Sequence, residues 1–338
     1  NVIVPMGNAA LYALTRRVGV TKWRGSILRG RDSLADRKII PAIHPRSAME
    51  EFLFQHYIRM DLSRVKVEST TPNFDLLERR MLVSPSYGET LDFLSRCHKT
   101  PFVIPHVGPA VACDIEVLNE EVYCISFAHS PVDVISIPFM NNGSDYFDPT
   151  QETEIWSRIA DLLQDETICK IGQNITFDAG FLLRKYQIQT RNIRDTMVAS
   201  GVLTPDFPKG LDFITSVYTR EPYYKADGKK WFKFGGAEED FRIYNAKDSA
   251  VCFEALEPLE TELKKLGNHP AYLKHLKLFE PILYMQERGI KVDLPGLHKA
   301  SADADVKINE LTERFMSKTG GVNPNSPKQL MNYFYGRL

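Results

Sequence analysis

Hydrophobic and polar positions change rhythm along the chain. Val2-Ile3-Val4 is a short apolar strand-like run, followed by good helix formers from Asn8 to Thr15 and then by loops rich in Arg and Gly. Val111 to Leu118, Val122 to Ala128 and Val132 to Pro138 are β-type runs with short turns between them, which predicts a meander. Behind Asp148-Pro149-Thr150 a helical pattern runs from Gln151 to Leu163. Ile168 to Ile171 reads as a buried strand, and a helix follows from Phe177 to Tyr186. Helices dominate after that. This order predicts an α/β fold with a mixed sheet flanked by helices. Texture divides the chain into residues 1–62, a connector at 63–81, a middle region at 82–268 and a helical tail at 269–338. The connector is most linker-like at Ser69-Thr70-Thr71-Pro72, and the tail is broken at Gly289 and at Thr319-Gly320-Gly321.

Composition narrows the class. With 338 residues, 43% of them hydrophobic, the chain is long enough for two or three domains and a sizeable core. It carries 42 basic and 43 acidic residues, so contact with nucleic acid must come from local patches rather than a global field. No apolar run approaches the roughly 18 residues of a membrane span, and no signal peptide is visible, so no membrane partner is expected and the location reads as cytoplasmic. Cys97, Cys113, Cys124, Cys169 and Cys252 are scattered, odd in number and form no CxxC pair, which points to reduced thiols rather than a zinc site or a disulfide framework. A start at Asn1 inside an apolar run and an end at Leu338 just after a loop read as a fragment of a longer polypeptide.

Four acidic residues stand out. Asp114 and Glu116 lie two apart on one predicted strand and project from the same face, flanked by apolar Val111 and Ile115. Asp178 lies near the start of a helix after Gly172-Gln173-Asn174, and Asp248 follows Tyr244 by four residues, on one helical face. Singly, each has an ordinary explanation: a solvated strand face, a helix-dipole partner, a surface pair. Gathered together in apolar surroundings, carboxylates repel and are costly to desolvate, unless hard divalent cations such as Mg²⁺ or Mn²⁺ neutralise them.

Asp114-Ile115-Glu116, Asn174-x-x-x-Asp178 and Tyr244-x-x-x-Asp248 together resemble the three motifs of the DEDD exonucleases, tyrosine subtype. Gly172-Gln173-Asn174 and Arg194-Asp195-Thr196-Met197 resemble the proofreading domain of family A DNA polymerases. The resemblance implies a ribonuclease H-like fold over residues 82–268 and a 3′→5′ exonuclease that releases nucleoside 5′-monophosphates from DNA ends. It implies two divalent metal ions, Mg²⁺ or Mn²⁺, held by Asp114, Glu116, Asp178 and Asp248, with Tyr244 and Glu116 orienting the attacking water. The partners implied are a single-stranded DNA 3′ end or primer-template DNA and the remainder of a polymerase chain. Two alternatives remain: a stand-alone DEDD exoribonuclease and a non-catalytic DNA-binding platform.

Candidate strand contacts come from Tyr223, Tyr224, Lys225, Lys230 and Trp231, where aromatic and basic residues interleave as stacking and phosphate-tracking groups do. Asn174 reads equally as a contact to the terminal nucleotide and as a helix N-cap. Asp195 reads as structural. Phe177, Phe181 and Phe253 have core-like helical spacing, and Phe177 is also a candidate strand contact.

The flanks resemble other modules. Val4-Pro5-Met6-Gly7-Asn8-Ala9-Ala10-Leu11, Trp23-Arg24-Gly25 and Pro41-Ala42-Ile43-His44-Pro45 resemble the C-terminal half of a uracil-DNA glycosylase superfamily domain. His44 would match the histidine that stabilises a departing uracil, but the upstream motif supplying the pocket is absent, so the segment is expected to be inactive here. The amphipathic stretch from Leu278 to Glu287, Arg288-Gly289-Ile290-Lys291-Val292-Asp293 and Asn323-Pro324-Asn325-Ser326-Pro327-Lys328-Gln329-Leu330 resemble the entry into a family A polymerase domain. Glycosylase-like, exonuclease and polymerase modules in that order suggest a phage-type polymerase, which would place the chain in a host cytoplasm.

Overall fold

The computed structural model describes residues 1–336. It divides into two compact units, Asn1–Glu287 and Arg288–Leu338.

The first unit is organised by a seven-stranded mixed sheet: β1 (Arg80–Leu82), β2 (Phe102–Ile104), β3 (Gly108–Leu118), β4 (Glu121–Ser130), β5 (Asp133–Pro138), β6 (Cys169–Gly172) and β7 (Ile193–Asp195). The spatial order is β7-β6-β3-β4-β5-β1, with β2 pairing the start of β3. The predicted meander is β3-β4-β5, antiparallel throughout, while β6 and β7 add in parallel on one side and β1 in parallel on the other.

Alternation along β3 decides which side chains meet which layer. Cys113 and Ile115 enter a core with Phe93 and Leu94 of α1 (Tyr87–Lys99), Ile155 and Ile159 of α2 (Pro149–Gln164) and Ala179 and Leu182 of α3 (Ile175–Tyr186). Ala110 and Ala112 face the other way, into a second core with Ala246, Ala250, Val251 and Phe253 of α5 (Glu238–Lys265). Small residues on that face let α5 cross the sheet closely. Two helix starts follow their local chemistry. Asp148 accepts from the Thr150 and Gln151 amides with Pro149 at the first helical position, and Ser86 forms a capping box with Glu89.

The predicted region boundaries shift. Helix Leu53–Glu68 runs through residue 62, so the first part of the 63–81 connector is helical. Its charged groups have partners that hold it there: Glu68 pairs with buried Lys38 at 2.7 Å and with Arg220 at 2.6 Å. Asp61 receives Arg24 at 2.6 and 3.0 Å, Arg24 reaches Ser216, and Arg64 donates to the Val217 and Thr219 carbonyls. The N-terminal segment is thereby part of the same compact unit. It carries a three-stranded sheet in which Lys38–Ile39 lies between Val2–Ile3 and Leu28–Arg29.

At the other end the unit extends past residue 268. Tyr272, Phe279 and Leu283 are buried, and Leu283 Cδ1 lies 3.2 Å from where a Cβ on Gly180 would stand. The second unit holds helices Leu294–Thr319 and Pro327–Tyr335, neither with a buried residue. Asp293 caps the first through the Gly296 amide. The last two residues of the predicted tail, Arg337 and Leu338, lie outside the described ones. No described helix is long and apolar enough to cross a membrane.

Candidate active site

Three of the four singled-out acids converge. Asp114 and Glu116 project from β3 on the α5 side, opposite Ser126 and Cys124 of β4, with a register irregularity directly after Glu116. Asp248 comes from α5, one turn after Tyr244. Asp114, Glu116 and Asp248 each offer a carboxylate oxygen, and these three atoms lie within 4.8 Å of one another. Asp178, in the first turn of α3, is buried beside them, and its Oδ1 accepts from the Ile115 amide at 2.9 Å. It stands outside the three-oxygen group but close enough to be an electrostatic neighbour of Asp114 and Glu116.

Burial and mutual repulsion push these acids up. Glu116 is raised to about 8, by burial first and by Asp248 next. Asp178 is raised to about 7 by burial, although the Ile115 amide works the other way. Asp114 is raised well above the ordinary carboxylate range by burial and by Asp248, Asp178 and Glu116. Such a set of hard oxygen donors, desolvated and short of positive charge, fits Mg²⁺ or Mn²⁺ and fits soft metals poorly. The cysteines nearest the site are buried and have their thiols held protonated by that burial.

One group not singled out from sequence holds the cluster in place. Asn245 donates to Asp114 Oδ2 at 2.9 Å, while its own Oδ1 accepts from Ser136 at 2.8 Å and its carbonyl accepts from Ser126 at 2.9 Å. Ser126 and Ser249 hydroxyls lie 2.6 Å apart. The available signal was Ser126 and Ser136, fully buried polar residues at inward positions of otherwise apolar strands.

The strand-contact segment differs from expectation. Tyr224 is buried, its hydroxyl donating to Asp248 Oδ1, so its ring offers no stacking face. Tyr223 packs edge-on against Trp23 of the N-terminal segment. Lys225 begins helix α4 (Lys225–Phe234) and points inward, pairing with Asp248 and donating to the Tyr244 hydroxyl at 3.1 Å. Trp231 stacks on Phe241 at 4.0 Å between ring centroids. Apolar anchoring of these rings against α5 outweighs exposure. Lys230 is exposed, and it lines a cavity of about 320 Å³ with Tyr224, Trp231, Tyr244 and Lys247. Phe232 and Phe234 are the segment's exposed aromatics.

Asn174 is exposed in the left-handed conformation, φ 58°, and its side chain makes no cap bond to α3. Asp195 does that work: its carboxylate accepts from the Asn174 and Ile175 amides and from those of Met197 and Val198, joining two helix starts. Phe177 is 55% exposed, which corrects its core reading, whereas Phe253 is buried. His44 is exposed on its loop, with Nδ1 accepting from the Arg46 amide at 3.2 Å. Its side chain lies against Gly7, where an added Cβ would come within 3.3 Å of His44 Cβ.

A DNA polymerase I from Rhizobium leguminosarum is 30% identical over 190 residues, 54% of this chain and 19% of the relative. A DNA polymerase of Bacillus phage SP01 is 26% identical over 122 residues, 35% of this chain and 12% of the relative. The chain thus spans a fifth or less of these relatives' length. Among solved structures, the POL domain of Pol1 from M. smegmatis, in complex with DNA primer-template and dNTP, superposes with a TM-score of 0.54 at 17% identity. That match covers 77% of this chain and 41% of the other, a likeness of fold. The 3′-5′ exonuclease family matches residues 93–264, the stretch from α1 to the end of α5 that carries every acid of the cluster, and the chain belongs to that family.

Proposed function

We propose that this chain is a metal-dependent 3′→5′ exodeoxyribonuclease of the tyrosine subtype, the proofreading part of a DNA polymerase. It removes nucleoside 5′-monophosphates from single-stranded DNA 3′ ends. The observation that carries the reading is the meeting of Asp114, Glu116 and Asp248 oxygens within 4.8 Å, beside buried Asp178 and half-buried Tyr244. The relatives' names, both DNA polymerases, favour DNA over RNA as substrate.

Asp114, Glu116, Asp178 and Asp248 would hold two divalent ions. When bound, such ions supply a nucleophilic hydroxide near neutral pH and stabilise charge on the phosphate and the leaving oxygen. Asn245 fixes the Asp114 rotamer, and the Ile115 amide fixes Asp178, so the oxygens are positioned before substrate arrives. Tyr244, its pKa raised by burial and by Asp248, keeps its proton at neutral pH and acts as an orienting hydroxyl rather than a base. Water attacks the terminal phosphorus, the P–O3′ bond breaks, and the released 3′ oxygen takes a proton. Exposed Phe177 and Asn174, at the start of α3, and Lys230 are the groups placed to meet the strand.

We read residues 1–62 as a glycosylase-like segment without glycosylase activity and residues 269–338 as the start of a polymerase domain without polymerase activity. The test of the main reading is a 3′-labelled single-stranded oligonucleotide with Mn²⁺ or Mg²⁺, run against its RNA counterpart. Metal-dependent release of 5′-mononucleotides from DNA is expected. Cleavage that persists in EDTA, or internal cutting, would refute it, and a preference for RNA would shift the reading to an exoribonuclease.

A further inference from the structure

Asp248 is held by two consecutive residues at the start of α4. Tyr224 donates to Oδ1 and Lys225 to Oδ2, so both carboxylate oxygens are engaged from the same short segment. The Lys225 ammonium also donates to the Tyr244 hydroxyl at 3.1 Å and lies 4.8 Å from the centre of that ring. Lys225 is also felt electrostatically by Asp114 and Glu116. No other cation hydrogen-bonds to Asp114, Glu116, Asp178 or Asp248 among the described residues.

The segment is shaped to sit there. Gly228 lies against the Tyr244 ring, where an added Cβ would come within 2.7 Å of three ring atoms; only a glycine lets the helix approach that closely. Beyond α4 the chain turns through Gly235, at φ 71°, and Gly236 before α5 begins. Phe232 and Phe234 at the far end of α4 are exposed, so the helix is anchored chiefly at its Tyr224–Trp231 portion.

We propose that Lys225 is an internal counter-ion that competes with a divalent cation for Asp248, so that metal loading and release of the Tyr224–Lys225 latch are one coupled event. The inference rests on the two-metal reading of the site. A carboxylate oxygen can accept the Tyr224 hydroxyl and bind an ion together. An ammonium at hydrogen-bond distance from Oδ2 cannot remain beside a doubly charged ion on that carboxylate without strong repulsion. The ion must therefore displace the ammonium, and the apparent metal affinity is weakened by whatever free energy holds Lys225 in place.

The test is Mn²⁺ binding to the whole chain, followed by the electron paramagnetic resonance signal of free Mn²⁺, without substrate. Lys225→Met should bind Mn²⁺ on the order of 10-fold more tightly than wild type, and Lys225→Arg should stay close to wild type. Tyr224→Phe removes a hydrogen bond but no charge and should shift affinity less than about 3-fold. Thermal melting supplies a second readout that checks folding: in EDTA, Lys225→Met should melt below wild type, and saturating Mn²⁺ should close the gap. Equal or weaker Mn²⁺ binding by a folded Lys225→Met variant would overturn the latch while leaving the two-metal reading standing. Absence of Mn²⁺ binding by every variant would overturn both.

Discussion

The acid cluster and the His44 loop both present side chains of catalytic type, and they differ in what surrounds them. Asp114 and Glu116 arrive on the middle of a long strand, Asp248 on a helix that crosses it, and Asn245 and two serines fix the rotamers. His44 arrives on an exposed loop with its imidazole Nδ1 accepting from the Arg46 amide. Buried charges interact strongly and are held in one geometry, whereas an exposed imidazole is solvated and screened. Chemistry is expected where companions are preassembled, not where one suggestive residue stands.

The largest effects should therefore come from removing charge at the cluster. Asp114→Ala and Asp248→Ala should each lower the single-turnover rate on a 3′-labelled oligonucleotide by about 10³-fold or more, because each deletes a proposed ligand and its charge. Quench-flow at saturating Mn²⁺ measures this. A loss below tenfold in either variant would mean that the convergence is structural.

Tyr244→Phe ranks next. It removes one orienting hydroxyl and leaves the ring against Phe241 and Gly228, so binding of strand and metal should persist. The same assay should show a loss of about 10- to 1000-fold. A rate equal to wild type would make Tyr244 a packing residue and leave the orientation of the water to another group.

Stability should report the same cluster through pH. Glu116 and Asp178 rise to about 8 and about 7 from ordinary values of 4.5 and 3.8. Acids raised in the folded state favour it when protonated, so their contribution is present below the unfolded values and lost as pH climbs through the folded ones. Carboxylates held low, such as Asp133 and Asp165, act in the opposite sense but only in the acid range. Between pH 5 and pH 8 in EDTA, Tm should fall by about 5–10 °C, and Mn²⁺ should restore it. Differential scanning calorimetry decides the point: Glu116→Gln should flatten the slope, and a slope unchanged in that variant would locate the titration elsewhere.

Much of this was legible in the residues. The β3-β4-β5 meander follows from apolar alternation and short turns, and the helix from Pro149 follows from Asp148 and its proline. Asp114 and Glu116 were placed on one face by the two-residue period. Local signals of this kind survive because the physics is local. The misplacements are long-range. Residues 63–68 read as part of a connector, and the partners that hold their helix, Lys38 and Arg220 on Glu68, are distant in sequence. Tyr224 looked like a stacking platform until Asp248 claimed its hydroxyl. Asn174 sat at a cap position, yet Asp195, from the adjacent strand, caps the helix. Asn245 beside Tyr244 drew no attention, because its role depends on serines from two other strands.

His44→Ala should give the smallest effect of all and sharpens the contrast from the other side. The exonuclease rate should stay within about 2-fold of wild type, since an exposed side chain without an acidic partner adds little to a buried site elsewhere. The intact chain should also release no uracil from a labelled duplex. Excision of a base needs one group to steady the departing anion and another to direct the water, and His44 could supply only the first. Its Nδ1 is already turned toward the Arg46 amide, which leaves Nε2 as the one nitrogen free for a base, and no described carboxylate hydrogen-bonds to the ring to hold that tautomer. Gly7, at φ 91°, keeps the loop backbone close to His44, so Gly7→Ala would strain this corner without creating the missing partner. Uracil release by wild type that disappears in His44→Ala would show that a lone, solvated histidine suffices, and would remove the distinction between the two regions.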